Sequence, residues 1–316
     1  MISTTNSNEE NGPLLETMDN SIGLVLSGGG ARGAYQMGCW RAFLDRNLTF
    51  GGVAGSSIGA LNGALICQGN WDSAYKLWLA LTRVRVLEFD FRRLVKFAMM
   101  AVENPGLLRK PVSKVKFLNA FEYSSSVLKL MARYSALRGL SKHGLINIEK
   151  FKPLLKRFID MNDVRQQPVS LFVTVSGTPL FTNPFAAPRC FKIQTQSEED
   201  AWKIIVASMS VPLVFSAIEL HGRKYSDGGI GQWLPIDPLY RDGFRRMVIV
   251  STKANTSYIA ARYPGCEFTL IQPEKPLGRF PMATFRFTEG SVVEWMQQGY
   301  RDATRVLERE GHLSTT

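Results

Sequence analysis

Between residues 22 and 65 the chain passes twice through the same three-part pattern. Ile22–Leu26 (IGLVL) is a short apolar run, followed at once by SGGGARG and then by Met37, Trp40 and Phe43/Leu44 at helical spacing. Residues 50–54 make a second short strand, followed by GSSIG and by Ile58, Leu61 and Leu65 at the same spacing. A strand that turns through a few glycines into a helix confines the chain to α/β architectures. In these, strands alternating with helices pair in parallel and place sites at the carboxyl ends of the strands. A third helix is expected after Asn70, which can cap it, with Trp71, Ala74, Trp78 and Leu81 as its apolar stripe. Further strands are expected at 169–176, at 223–226 leading into Asp227-Gly228-Gly229, and at 247–251, with a helix at 200–208.

A chain of 316 residues slightly exceeds what one hydrophobic core usually fills, about 250–300 residues. One large domain with additions is therefore expected at 21–250. It is preceded by an acidic disordered tail at 1–20, which holds Glu9, Glu10, Glu16 and Asp19 without Lys or Arg, and followed by an extension at 251–316 that packs on it. With 45% hydrophobic and 21% charged residues the composition suits a folded domain with a sizeable core. Cys39, Cys67, Cys190 and Cys266 lack CxxC spacing and suggest buried thiols in a reducing compartment rather than a zinc site or disulfide framework. The uncharged apolar stretch 204–218 contains Pro212 and falls short of the ~20 apolar residues of a membrane-spanning helix.

The net charge of +11 is concentrated in one place. Residues 81–160 carry 17 Lys/Arg against 6 Asp/Glu, and 17 − 6 = +11 equals the balance of the whole chain. Residues 83–160 read as an inserted cap of basic, Leu/Phe/Met-rich helices. Its cations are suited to anionic lipid headgroups, each well-placed one contributing about 1 kcal/mol; the alternative is an ordinary solvated face.

The chemistry lies in the glycine turns. Gly28-x-Gly30-x-x-Gly33 also matches the dinucleotide fingerprint, but the acidic residue that should follow about 20 positions later to hold a ribose is absent. What survives is a helix N-terminus with bare backbone N–H groups, a cradle for an anion. In the second turn two serines compete. A nucleophile elbow requires glycine two residues before and two after its serine; Ser57 has Gly55 and Gly59, whereas Ser56 has Ala54 and Ile58. Ser57 is the candidate nucleophile, and the bland alternative is a glycine turn with two incidental serines. Its base is less evident. His143 lies in the basic insert, His221 in an apparent hairpin turn, and His312 satisfies the Ser–Asp–His order of α/β-hydrolases but stands in the closing GHLSTT, where fraying is expected. Asp227, ahead of two glycines, can act as a base if burial raises its pKa from about 3.9, although Asp-Gly is also an ordinary turn signal.

Three segments in order, GLVLSGGGARGAYQMG, GSSIGALNG and YSDGGIGQWLP, resemble the patatin-like phospholipase family. The resemblance covers residues 22 to about 250 and includes IVASMSVPLVF, similar to the family's small-residue segment ending in proline. It implies a three-layer α/β/α fold with a mainly parallel central sheet, Ser57 as nucleophile and Asp227 as base. It further implies an oxyanion hole from the backbone N–H groups of Gly28, Gly29 and Gly30 with Arg32 beside it, and Gly33, Gly55, Gly59, Gly228 and Gly229 as motif glycines. The implied activity is metal-independent and cofactor-free hydrolysis of phospholipid or lysophospholipid acyl esters. Gln232-Trp233-Leu234-Pro235 departs from the family, which commonly has asparagine before Leu-Pro. A cytoplasmic, membrane-peripheral protein is expected, or a secreted effector without a Sec signal. No nucleic-acid partner is expected; an activator and a homo-oligomer stay open, as do a triad esterase using His312 and an inactive lipid-binding module.

Overall fold

A computed structural model describes residues 21–83, 151–177, 188–211, 215–257, 260–279 and 282–310. The expected acidic tail, most of the basic insert with His143, and His312 lie outside the described residues.

Eight strands form one mixed sheet in the order β5-β6-β3-β2-β1-β7-β8, with β4 also paired to β3. Its centre is parallel: β1 (Ile22–Leu26) lies between β2 (Gly52–Ser56) and β7 (Arg246–Val250), β3 (Ser170–Gly177) continues the parallel run beyond β2, and β8 (Glu267–Ile271) continues it beyond β7. These central strands are apolar almost throughout because helices or loops cover both faces, and β1 is buried at all five positions.

Parallel pairing, expected throughout, fails on one side. β4 (Arg189–Lys192) and β6 (Arg223–Asp227) both pair antiparallel to β3, and β5 (Ile218–Leu220) pairs antiparallel to β6. The reason is local: β5 and β6 are joined by the two residues His221 and Gly222, both at positive φ (49° and 70°), a geometry that folds a hairpin and leaves no room for a crossover helix.

The thicker layer packs α1 (Ala34–Leu44), α2 (Ile58–Gln68), α3 (Trp71–Arg83), α4 (Met161–Gln166), α5 (Glu198–Ser208) and α6 (Glu289–Arg309) around the larger core. On the opposite face a smaller cluster of Ile236, Leu239, Phe244 and Tyr263 covers Val25, Ala54, Phe172 and Ile249. Local chemistry marks the helix ends. Asn70 Oδ1 accepts from Ser73 N–H at 2.9 Å before α3, and Ser197 Oγ accepts from Asp200 N–H at 3.1 Å ahead of the acidic first turn of α5. Gly69 at φ 77° closes α2.

β8 and α6 fall in residues 251–310, for which the sequence suggested no elements. α6 lies along α1, where the Tyr35 hydroxyl donates to Asp302 Oδ2 at 3.2 Å. Its apolar residues, Val292, Trp295, Met296, Ala303 and Leu307, join the larger core.

Candidate active site

Ser57 is the single residue between the end of β2 and the start of α2, and its backbone has φ 56° and ψ −124°. Positive φ in a residue with a Cβ costs of order 1–3 kcal/mol and persists only where surrounding contacts enforce it. Two kinds of contact do so. Strand and helix meet at van der Waals distance: a Cβ on Gly55 would stand 2.2 Å from the Gly59 carbonyl oxygen, and one on Gly59 would stand 2.4 Å from that of Leu26. In addition, Ser57 N–H donates to Ser208 Oγ at 2.9 Å, and Ser208 Oγ donates to the Thr174 carbonyl at 2.7 Å. The elbow is thereby tied through α5 to β3. Ser56, by contrast, is fully buried, and its hydroxyl has no hydrogen-bond partner among the described residues.

Sheet register brings Asp227 to this elbow across 170 residues of sequence. Ser56 is the partner of Thr174 on one side of β3, and Asp227 is the partner of Val175 on the other. Ser57, one residue beyond Ser56, and Asp227 therefore straddle the carboxyl end of β3, on strands separated by two inter-strand spacings, about 10 Å. The side chains close the remaining gap: Ser57 Oγ donates to Asp227 Oδ2 at 2.6 Å. The other carboxylate oxygen, Oδ1, accepts from Gly229 N–H at 2.7 Å, and Asp227 N–H donates to the Ser210 carbonyl at 2.9 Å. Both residues are buried, Ser57 8% and Asp227 4% exposed. Burial pushes the Asp227 carboxyl up to about 6, against the opposing pull of the hydrogen bonds from Ser57 and Gly229. It is a carboxylate at neutral pH, with a basicity closer to histidine's than to an exposed aspartate's.

The glycine loop lies beside Ser57: a Cβ on Gly28 would stand 3.5 Å from Ser57 Cβ. Its carbonyls are fastened. Gly28 O accepts from Thr252 Oγ1 at 2.6 Å and from Trp233 Nε1 at 3.0 Å, and Gly29 O accepts from Arg32 Nε at 3.2 Å. In a trans peptide the carbonyl and the following N–H point in opposite directions, so these anchors turn the Gly29 and Gly30 N–H groups away from Thr252, Trp233 and Arg32. Gly30 takes φ 59°, and a Cβ there would stand 2.2 Å from the Thr284 carbonyl oxygen.

Two sequence expectations change here. Gly28 N–H donates to the Trp233 carbonyl at 3.3 Å, so it is an engaged donor and not one of the loop's available ones. Arg32, only 5% exposed, braces the loop through its carbonyl rather than offering its charge to a ligand. Gly33 faces Ile58 where α1 and α2 begin, and Gly228 and Gly229 lie near Ser56 and Ser57. His221 sits on the hairpin turn, at the end of β6 away from Asp227, paired with Asp200 Oδ2 at 3.1 Å. The described residues contain no group of three or more His, Cys, Asp or Glu able to hold a metal, and no helix long and apolar enough to cross a membrane.

A family model described as patatin-like phospholipase matches residues 24–240. The chain belongs to this family. Within it, a 49-residue stretch is 56% identical to neuropathy target esterase sws of Drosophila persimilis and of Drosophila melanogaster. That match covers 16% of this chain and 3% of those much longer relatives. Among solved structures, VipD from Legionella pneumophila is similar with a TM-score of 0.46 at 15% identity, covering 92% of this chain and 67% of that one. ExoU of Pseudomonas aeruginosa, in complex with SpcU, gives 0.37 at 13% identity, covering 94% and 53%. The patatin-like α/β fold accounts for the mostly parallel sheet.

Sequence reading overlooked the residues that hold the site: Ser208, Thr252 and the anchoring role of Trp233. Ser208 stands in IVASMSVPLVF, whose run of small residues was the available signal. Ser208→Ala removes the acceptor for Ser57 N–H, and labelling of Ser57 by a fluorophosphonate is expected to slow about 10–100-fold, as small misplacements of a reacting group do. Ser208→Thr keeps the hydroxyl and should recover most of the rate. Equal labelling rates in all three proteins would show that the elbow holds without this bond.

Proposed function

We propose that the protein is a lipid acyl hydrolase of phospholipase A or lysophospholipase type. The observation that carries this reading is the 2.6 Å hydrogen bond from Ser57 Oγ to a buried carboxylate, made at a strained elbow in a patatin-like domain. Asp227 takes the proton from Ser57 Oγ as that oxygen attacks the ester carbonyl. The tetrahedral oxyanion is held by the N–H groups of Gly29 and Gly30, already oriented before substrate arrives. Collapse of the intermediate breaks the ester bond, and Asp227 returns its proton to the departing alcohol, leaving an acyl-Ser57 ester. Water, deprotonated by Asp227, then attacks this ester and releases the fatty acid, and the proton returns to Ser57. Residues 83–160, with their excess of cations, hold the domain on anionic lipid surfaces.

Mass-spectrometric analysis of products from mixed phospholipid vesicles tests the chemistry. The native chain should release fatty acid and the matching lysolipid or glycerophospho compound, and Ser57→Ala should release neither. Equal release by both proteins would overturn the reading. Liposome sedimentation tests the surface: binding to anionic vesicles should weaken as salt rises, and equal binding to neutral vesicles at every salt concentration would remove the electrostatic contribution.

A further inference from the structure

We propose that Lys253, held against the Trp233 ring at the edge of the glycine loop, binds the phosphate group of the lipid substrate. It would thereby select phosphate-bearing acyl esters over neutral glycerides. The inference rests on the hydrolase reading above and narrows its substrate.

Lys253 Nζ lies 4.6 Å from the centre of the Trp233 ring. Trp233 is tied to the glycine loop twice, by its ring through Nε1 to Gly28 O at 3.0 Å and by its backbone through Gly28 N–H to the Trp233 carbonyl at 3.3 Å. Gly28 in turn borders Ser57. Cation, aromatic ring, glycine loop and nucleophile thus form one contiguous series. The backbone of Lys253 is fixed as well: its N–H donates to Ser251 Oγ at 2.9 Å and its carbonyl accepts from Thr256 Oγ1 at 2.9 Å. The preceding residue, Thr252, is buried and fastens Gly28 O at 2.6 Å, so the Lys253 backbone is anchored beside the loop.

The chemistry suits an anion on the substrate. A ring face steadies an ammonium without cancelling its charge. A half-buried lysine attracts an anion more strongly than one in bulk water, because the effective dielectric constant is lower, and its compact charge needs no particular approach geometry to a phosphate. In a glycerophospholipid only the glycerol carbons separate the phosphate from the acyl ester, so a scissile carbonyl at Ser57 brings the phosphate to the rim of the same site. Trp233 stands where the family commonly has another residue, and it is the platform on which the lysine rests.

The test compares kcat/KM for a lysophospholipid and for the monoacylglycerol with the same acyl chain, both in neutral detergent micelles. Lys253→Met keeps an apolar stem over the ring but removes the charge. The ratio of the two kcat/KM values should fall about tenfold, whereas Lys253→Arg should hold it within about threefold. An unchanged ratio in Lys253→Met, including equal losses on both substrates, would mean that the lysine only covers the ring and would overturn the proposal. If the native chain cleaves neither lipid in a Ser57-dependent way, the hydrolase reading itself fails, a result distinct from an unchanged ratio. Inorganic phosphate separates the two sources of the anion. If it alters monoacylglycerol turnover in the native chain but not in Lys253→Met, the position serves a free ion and the lipid-borne assignment falls. Unaltered turnover, together with the reduced ratio, supports it.

Discussion

Ester hydrolysis is expected to drop by about 10⁴-fold or more in Ser57→Ala and in Asp227→Asn, because removing either member of a unit that acts together removes the covalent route entirely. The two losses should not add: the double variant is expected to be about as inactive as either single one. Ser56→Ala provides the contrast. Its hydroxyl is buried without a hydrogen-bond partner among the described residues, and the Asp227 carboxylate is bonded to Ser57 instead, so activity should stay within about threefold of native and stability should not fall. Folding must be checked alongside by circular dichroism and thermal melting. Ser57→Gly adds an internal control: glycine relieves the positive φ of the elbow and should gain of order 1 kcal/mol of stability while losing activity. Retention of substantial turnover in Ser57→Ala would reassign the nucleophile, and a fluorophosphonate adduct at another serine would identify it.

The second large effect is in pH. With the Asp227 carboxyl at about 6, kcat/KM should be level above pH ~7 and fall about tenfold per unit below pH ~6 as the base becomes protonated. The same displacement runs the other way for stability. The unfolded carboxyl titrates near the ordinary aspartate value of 3.8 and the folded one near 6, so between these values the folded state holds a proton that the unfolded state has released. Stability from this residue is present below pH ~4 and declines as pH rises through ~6, by an order of 3 kcal/mol for a shift of this size. Asp227→Asn, which never carries the charge, should therefore be more stable than the native chain at pH ~8 and should lose that advantage by pH ~4. Denaturant melts at the two pH values check the stability, and a kcat/KM profile on a soluble ester checks the base. A profile with no inflection between pH ~5 and ~7 would show that another group takes the proton.

The choice of Ser57 over Ser56 was legible from glycine spacing alone, because an elbow sharp enough to expose a side chain forces strand and helix into contact two residues to either side. The β5–β6 hairpin was legible only in part. Its His-Gly turn was visible, but the antiparallel direction it imposes was masked by the expectation of strand and helix in alternation. α6 escaped because its polar outer face dilutes the apolar pattern, although Val292, Trp295, Met296, Ala303 and Leu307 fall on one face when it packs on α1. Asp227 could be suspected from its glycines but not paired with Ser57 by spacing, since register between β2, β3 and β6 is a property of the assembled sheet.

The sequence by itself determined the strand–turn–helix units and the patatin-like family, and it singled out Ser57 as the candidate nucleophile, because each depends on residues adjacent in the chain. The tertiary structure decided which N–H groups of the glycine loop are occupied, how far burial raises the Asp227 carboxyl, and that Ser208, Thr252 and Trp233 anchor Ser57 and the loop. These depend on hydrogen bonds and desolvation among residues up to 225 positions apart, which local pattern does not encode.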